Sequence, residues 1–519
     1  MNGCRPVSAG ATIVATAGFY YAFRPIPGNW FAAIAAIALL LWASARQSSP
    51  GAAAGIGLGC GFSFYFIELF WITNSISGFT SLPRPLVILI MALLALYLAL
   101  YLAFFCALWQ YLSRNRTAQF KTFGQILLAA AAWILLEELR GRFLGGFPWH
   151  PLGLTQIDNH LLSQLLPWGG VRLLSGLVVV CGGLLYLAFR ELARRPRRQA
   201  LLPLLLLVAL LLLPGLIPKQ PPAFGKPGTP VKVCIIQPNI PQAEKWQPGN
   251  RKKIVARMFA MTREGLRTRP QLVVWPEASL PLLLETKPAL IEQLRKLVDD
   301  NGCALMLGGP RYLDQPGNRP DYPSCKKLYN AVFFFSPGRP PAVYNKIKLV
   351  PYGEYTPLAD FFPFIGKLVP GLNYSAGRKK TIFSWKGLKI APSVCFEGVF
   401  PAFTADFFAA GANLLVNLTN DAWFGDSPGP RQHLRNLRLR ALENRCWIVR
   451  SANTGISAVI DPGGRIVASI PLNQQGILET EIHPSPGPTF YARHPRLPLW
   501  TALALLLGGG IRRLAARRT

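Results

Sequence analysis

Apolar runs long enough to cross a bilayer recur through the N-terminal part of this chain, and nothing else in it constrains the fold as much. They occupy residues 9–23, 30–45, 51–72, 86–112, 123–139, 170–189 and 201–217, and an eighth, 497–511, stands alone near the C-terminus. A helix that crosses a membrane needs about 20 mostly apolar residues, because the hydrocarbon layer is about 30 Å thick. One such run could be a core helix buried on every side. Seven in succession, divided by short basic or Gly/Pro loops, predict a multi-pass α-helical membrane domain. Only 15% of the residues are charged and 51% are hydrophobic, whereas a soluble domain carries about a quarter charged residues. The first run follows Arg5 in the manner of a signal peptide. Its exit, Ala-Phe-Arg-Pro-Ile-Pro at 22–27, lacks the small-x-small cleavage pattern, so it is read as a retained helix.

The formal net charge is +31. Such an excess can mark a nucleic-acid binder, but no helix-turn-helix or aromatic-basic platform accompanies it, and no nucleic-acid partner is expected. Much of the surplus lies between the apolar runs, where it suits anionic lipid headgroups. Arg46, then Arg114, Arg116 and Lys121, then Arg190, Arg194, Arg195, Arg197 and Arg198 occupy alternate loops, and Arg512, Arg513, Arg517 and Arg518 close the chain. The intervening loops are poorer, with Arg24, Arg84 and the group Arg140, Arg142 and Arg172. By the positive-inside rule both termini are cytoplasmic, and the region between the seventh and eighth runs faces outward. The nine cysteines form no CxxC pair, which argues against a disulfide framework or a zinc site. No metal or organic cofactor is expected.

The boundaries predicted are a membrane domain at 1–218, a Pro/Gly/Lys linker at 219–230, a catalytic domain at 231–490, and a terminal helix with a basic tail at 491–519. Within the third segment short β-rich runs alternate with helical stretches. Strands are predicted at 231–237, 272–275, 304–308, 331–336, 388–393, 414–418, 447–451, 457–461 and 477–482, and helices at 251–267, 288–301, 401–410 and 431–445. Pro462-Gly463-Gly464 reads as a hairpin turn. The alternation indicates a layered α/β domain.

Three reactive side chains lie beside short strand-like runs. Glu277 closes Val-Val-Trp-Pro-Glu, Lys346 lies in Tyr-Asn-Lys-Ile-Lys-Leu-Val-Pro-Tyr-Gly-Glu, and Cys395 lies in Ala-Pro-Ser-Val-Cys-Phe-Glu. A thiol with a pKa of about 8.5 is mostly protonated at neutral pH, so it needs a base, and Glu277 is the candidate. The tetrahedral adduct of a thiolate with a carbonyl carries an oxyanion, and Lys346 is the candidate cation. Any one of these residues alone would read as core or surface. Together they are the set that acyl transfer through a thioester requires.

These blocks resemble the nitrilase superfamily, which implies a Glu-Lys-Cys triad of Glu277, Lys346 and Cys395 on an αββα sandwich. The likeness extends to Asn-Asp-Ala-Trp-Phe-Gly (420–425) and Arg-Ser-Ala-Asn-Thr-Gly (450–455). With the membrane helices, Gly-Phe-Pro-Trp (146–149), Trp-x-x-x-Glu-x-x-Arg-Gly (133–141), Gln-Pro-Asn-Ile-Pro-Gln-Ala-Glu-Lys-Trp (237–246) and Leu-Val-Pro-Tyr-Gly-Glu-Tyr-Thr-Pro (349–357), the chain is similar to the apolipoprotein N-acyltransferase family of the bacterial cytoplasmic membrane. Phe396 stands where tyrosine is common in that family. The resemblance implies a multi-pass inner-membrane acyltransferase, monomeric, with its catalytic domain on the periplasmic face. Cys395 would take the sn-1 acyl chain of a phospholipid and pass it to the α-amine of the S-diacylglyceryl-cysteine that begins a diacylated apolipoprotein. The triad alone also fits a membrane-tethered amidase or nitrilase that uses water, and a transporter or binding protein with an inactive domain is the rival from another class.

Several other residues bear two readings. The resemblance suggests that Glu354 and Glu397 help to order the site, against a reading as plain ion pairs. Trp246 is a core aromatic or part of an acyl-chain surface. His433 is expected to be a satisfied structural histidine. Glu68, inside the third run, either serves a function or snorkels to the interface. Glu137 and Arg140 are spaced to pair on one helix face. The segment 355–372 gathers Phe361, Phe362 and Phe364 among prolines and glycines, and is expected to form a lipid-contacting loop that gates the site.

Overall fold

The computed structural model describes residues 4–26, 28–80, 82–114, 119–194, 198–217, 229–315, 325–356 and 373–518. They divide into two compact units: Met1–Thr73 with Leu82–Gln220 and His494–Thr519, and Asn74–Ser81 with Pro221–Arg493. The aromatic segment with Phe361, Phe362 and Phe364 and most of the expected linker lie outside the described residues.

In the first unit the described helices are α1 (Cys4–Ala22), α2 (Trp30–Ala45), α3 (Pro50–Glu68), α4 (Ile72–Phe79, which continues into the second unit), α5 (Arg84–Ser113), α6 (Gln119–Arg140), α7 (Leu166–Arg194), α8 (Arg198–Leu212) and the terminal helix Leu497–Arg518. Helix α3 starts where Ser49 accepts the Ala52 N–H and Pro50 takes the first helical position, a pairing that satisfies one orphan amide and wastes none. Among the described residues four segments are long and apolar enough to cross a membrane: Pro50–Glu68, Arg84–Ser113, Thr122–Arg140 and Leu162–Ala193. The last is 83% buried against 33% for Arg84–Ser113, so α7 is the centre of the bundle and α5 its rim. On α5 the side chains of Leu89, Leu93, Leu96, Leu100 and Phe104 are all exposed. Their spacing of three and four residues puts them on one apolar face. Helix α2 has 16 residues and rises about 24 Å, short of the hydrocarbon thickness.

Helices α3 and α5 meet through glycines. A Cβ on Gly57 would collide with the Leu102 carbonyl, and one on Gly61 would lie 2.9 Å from the Ala99 Cα. A small residue every fourth position is what lets two helix backbones approach in lipid.

Glu68 does not snorkel. It is 3% exposed, and its carboxylate lies 2.8 Å from Arg24 and 3.6 Å from His150. Glu137 and Arg140 do not pair either. Glu137 accepts from the Trp133 ring N–H and the Leu152 amide, while Arg140 donates to Tyr65 and to the His150 carbonyl. The half-buried Glu137 carboxylate takes the donors that face it, a ring N–H and a loop amide.

The second unit stacks two six-stranded sheets. The strands are β1 (Val231–Gln237), β2 (Leu272–Val274), β3 (Ala304–Gln315), β4 (Cys325–Phe335), β5 (Ala342–Asn345), β6 (Phe383–Trp385), β7 (Leu388–Val394), β8 (Leu414–Thr419), β9 (Ile448–Ala452), β10 (Ser457–Ile460), β11 (Ile466–Ile470) and β12 (Gly476–Ile482). One sheet runs β12-β1-β2-β3-β4-β5 and the other β11-β10-β9-β8-β7-β6. Each has three parallel strands, β1-β2-β3 and β7-β8-β9, flanked by antiparallel ones. Strand β8 is buried along its whole length, as a parallel strand covered on both faces must be. The Ser451 hydroxyl of β9 reaches the carbonyls of Ile236 and Val274 in the opposite sheet, so the sheets face one another. Helices α9 (Gln242–Lys245), α10 (Arg251–Gly265) and α11 (Pro288–Asn301) follow the first sheet's strands. Met258, Phe259, Leu294 and Val298 from α10 and α11 share an apolar core with Val273, Leu305 and Phe333 of that sheet. Helices α12 (Pro401–Ala409), α13 (Gly429–Asn444) and α14 (Phe490–Arg493) accompany the second sheet. The layering is αββα. Strands β5, β6 and β11 lie outside the strand ranges expected from the sequence.

Part of α4 belongs with this unit: the Ser75 hydroxyl donates to the Trp423 carbonyl at 2.9 Å.

Candidate active site

Parallel strands present their carboxyl ends on one side of a sheet, and reactive groups gather there. Glu277 follows β2, Lys346 follows β5, Cys395 follows β7 and Asn420 follows β8. The turn carrying Glu277 lies against β3. Ala278 has φ 47°, and a Cβ on Gly308 would lie 2.7 Å from both the Glu277 Cα and the Ala278 N. Only glycine at 308 admits this approach.

Glu277 is 7% exposed, Lys346 1% and Cys395 8%, so the three meet in a site nearly closed to water. The Lys346 Nζ lies 3.6 Å from Glu277 Oε1 and 2.8 Å from Glu354 Oε2. Asn330 ties the two carboxylates together, donating from Nδ2 to Glu277 Oε1 at 2.7 Å and to Glu354 Oε1 at 2.9 Å. The remaining Glu277 oxygen accepts the Asn420 amide at 2.8 Å, and Val350 N–H fills Glu354 Oε2. Every oxygen that could swing is held. A fourth charged group lies beneath: Lys245, fully buried, donates to the Glu277 carbonyl at 3.2 Å. Burial pulls its pKa down to about 8, with Glu277 opposing.

Burial raises the Cys395 thiol well above its ordinary value, and the Glu277 charge adds to this while Lys346 offsets it. Cys395 therefore rests as a thiol and depends on a neighbouring base. Burial disfavours the Lys346 ammonium, but Glu354 and Glu277 outweigh it and hold the lysine charged above its usual value. This arrangement sets a protonated thiol, a carboxylate and a fixed cation in one buried cluster.

Cys395 has φ 49°. For a residue with a Cβ this left-handed geometry costs about 1–2 kcal/mol, and the surroundings must enforce it. Glu397 does so from one side. It is fully buried and accepts from Tyr344 Oη, Ile347 N and Lys348 N on Oε1 and from Val394 N on Oε2. One carboxylate thus pins the residues after Lys346 and the residue before Cys395 to each other across the two sheets. Burial raises its pKa and those donors oppose the rise.

On the other side of Cys395 lies a polar group that the sequence did not flag as a unit. His433, on α13, places Nε2 3.1 Å from the Cys395 carbonyl oxygen and Nδ1 3.1 Å from Asp421 Oδ1. Arg450 forms an ion pair with Asp421. Burial would raise Asp421, but Arg450 and His433 outweigh it and hold the carboxyl well below the usual range. Cys395, Asp421 and His433 bring possible metal donors within 4.8 Å of one another. The set does not fit a cation: Arg450 already neutralises Asp421 and stands 3.3 Å from His433 Nδ1.

Glu354 and Glu397 both lie in the cluster. Trp246 follows α9 directly after Lys245 and is half-buried. Sequence reasoning missed Lys245, Asn330, Asn417, Thr419 and Arg450. Lys245 and Arg450 stood inside the blocks 237–246 and 450–455 without being singled out, and Asn417 and Thr419 were polar residues set inside the otherwise apolar β8.

Residues 232–486 match the carbon-nitrogen hydrolase family, and residues 15–184 match the apolipoprotein N-acyltransferase N-terminal domain. The chain is 34% identical to the apolipoprotein N-acyltransferase of Geobacter metallireducens, over 92% of this chain and 90% of that one. It is 34% identical to that of Azotobacter vinelandii, over 99% and 97%, and 31% identical to that of Vibrio parahaemolyticus, over 92% and 92%. Among solved structures it is similar to an amidase from Nesterenkonia sp. at 19% identity and TM-score 0.37, covering 54% of this chain and 99% of that one. It is also similar to Saccharomyces cerevisiae Nit3, a nitrilase superfamily member, at 20% identity and TM-score 0.37, covering 53% and 97%.

Proposed function

Because this chain belongs to the apolipoprotein N-acyltransferase family, we propose that it transfers the sn-1 acyl chain of a phospholipid to the α-amine of the N-terminal S-diacylglyceryl-cysteine of an apolipoprotein, in the bacterial inner membrane. The observation that carries the chemistry is the convergence of Glu277, Lys346 and Cys395 in one buried cluster.

Glu277 takes the proton of the Cys395 thiol as Sγ attacks the ester carbonyl carbon. The carbonyl oxygen becomes an oxyanion beside the Lys346 ammonium, where a fixed cation in a dry site stabilises it most. Collapse breaks the bond to the glycerol oxygen, which leaves with the proton from Glu277 as lysophospholipid. The acyl group is now a thioester on Cys395. The acceptor amine attacks the same carbon, Glu277 accepts its proton, and a second collapse restores the thiol and releases the triacylated lipoprotein. Glu354 holds Lys346, and Glu397 holds the Cys395 turn.

In this reading about seven spans precede Pro214, both termini are cytoplasmic, and the domain at 231–490 works on the periplasmic face as part of a monomer. Trp246, Phe361, Phe362 and Phe364 contact the lipid chains.

Intact mass after incubation with phospholipid tests the first step. One acyl chain on wild-type protein, absent from Cys395→Ala, is the expected result. An adduct that persists in Cys395→Ala would sink the assignment. Adding a diacylated peptide should discharge the thioester to the peptide amine; release of free fatty acid instead would identify water as the acceptor.

A further inference from the structure

The Cys395 carbonyl oxygen is a point where two side chains from different elements converge. Asn417, on β8, donates to it from Nδ2 at 3.3 Å, and His433, on α13, reaches it from Nε2 at 3.1 Å. A carbonyl can only accept, so His433 carries its proton on Nε2. A carbonyl oxygen has two lone pairs, and these two donors fill them.

Behind the imidazole a chain of buried partners fixes the ring. Nδ1 stands 3.1 Å from Asp421 Oδ1 and 3.3 Å from Arg450 Nη2. Arg450 Nη1 donates to Asn417 Oδ1 at 3.0 Å, so one guanidinium braces both donors. Asp421 binds Arg450 through Oδ2 and receives the Thr419 hydroxyl on Oδ1 at 2.8 Å. His433, Asn417, Thr419, Asp421 and Arg450 are all buried. Desolvation and then Arg450 hold His433 below its ordinary pKa, while Asp421, 3.1 Å from Nδ1, opposes that shift.

We propose that His433 is a positioning residue for the acyl-transfer reaction, holding the peptide between Cys395 and Phe396 in the strained orientation that presents the thiol. The backbone at Cys395 sits in the left-handed region, which a residue with a Cβ leaves unless it is restrained. In a planar trans peptide the C=O and the next N–H point opposite ways. Anchoring the Cys395 oxygen toward α13 therefore also sets the Phe396 N–H and, through the Cα, the direction of Sγ. Displacement of a reacting atom by about 1 Å can cost roughly 100-fold in rate, so loss of this anchor registers in the chemical step rather than in lipid capture.

The inference rests on Cys395 as the nucleophile, and a three-way comparison keeps the two separable. Single-turnover thioester formation is followed by intact mass across a range of phospholipid concentrations for wild type, Cys395→Ala, His433→Leu and His433→Gln. His433→Ala serves as a second donorless variant. The Gln amide can reach the same carbonyl as a donor and accept from Arg450, whereas Leu and Ala cannot. His433→Leu should acylate about 10- to 100-fold more slowly at saturating lipid, with the half-saturating lipid concentration unchanged, and His433→Gln should recover most of that loss. A donorless variant that acylates at the wild-type rate overturns the proposal. So does a folded His433→Gln as slow as the donorless variants, because that pattern belongs to packing. Acylation of Cys395→Ala would instead remove the nucleophile reading itself.

Discussion

Glu277 and Lys346 are held by so many partners that single substitutions there should alter chemistry more than fold. Glu277→Gln keeps the side chain's shape and can accept from one of Asn330 and Asn420, which donate to the two separate carboxylate oxygens, but it cannot take a proton. General-base catalysis typically contributes about 10²–10⁴-fold, and thioester formation should fall by that order, read by single-turnover kinetics. Lys346→Met should also slow acylation, because the oxyanion loses its cation; an unchanged rate would remove that residue from the mechanism. Lys245 offers a test by pH. Its pKa is about 8 in the fold against 10.5 for the free side chain. Below about pH 8 both folded and unfolded chains carry the ammonium, and the folded state bears the cost of its burial. Between about 8 and 10.5 the unfolded chain binds the extra proton, so stability rises with pH there. Lys245→Met should therefore raise the melting temperature at pH 7, and the gain should shrink as pH climbs through that window. A gain that is constant with pH, or a loss at pH 7, would contradict this. Cys395, Glu277 and Lys346 could be singled out in the sequence because each closes a short apolar run. Asn330 could not, and Asp421 and Arg450 stood only as members of longer matching blocks, because their importance comes from proximity across strands distant in the chain.

Sequence patterning located most elements to within a few residues. Pro288–Asn301 and Trp30–Ala45 match their expected bounds, since Pro starts the first and apolar composition delimits the second. Strand β3 runs on to Gln315 past the expected 308, because its pairing with β4 carries polar residues beyond the buried stretch. Strands β5 and β6 are only four and three residues long, too short for an alternation to register, and they persist through their neighbours' hydrogen bonds. What the sequence did not reveal was the α3–α5 seam at Gly57 and Gly61, since glycines inside an apolar run read as weak helix formers. Gly57→Leu should force these helices apart, because the new side chain meets the Leu102 main chain rather than a movable side chain. The expected outcome is a lower melting temperature and less detergent-stable protein, with Gly55→Leu, which meets open space, as the control that stays near wild type.

At the scale of the whole chain, charge distribution carries a prediction about topology. A single cysteine added to the basic C-terminal tail of a background lacking accessible thiols should resist a membrane-impermeant maleimide in intact spheroplasts. One added near Lys379, in the domain at 231–490, should react. The opposite pattern would invert the assigned orientation. The layered architecture was legible from alternating elements, and the sandwich from the family resemblance, but the pairing of six strands with six was not, because register depends on partners far apart in sequence. That pairing has a consequence for biogenesis. Glu277 and Lys346 hang from one sheet and Cys395 from the other. Before the two sheets stack, the chain thus carries Cys395 as an ordinary sulfhydryl, apart from Glu277 and Lys346. Only when the two sheets stack does it meet Glu277, so under the proposed mechanism an unfinished polypeptide would not harvest acyl groups from the surrounding leaflet. Assembly itself is the safety catch.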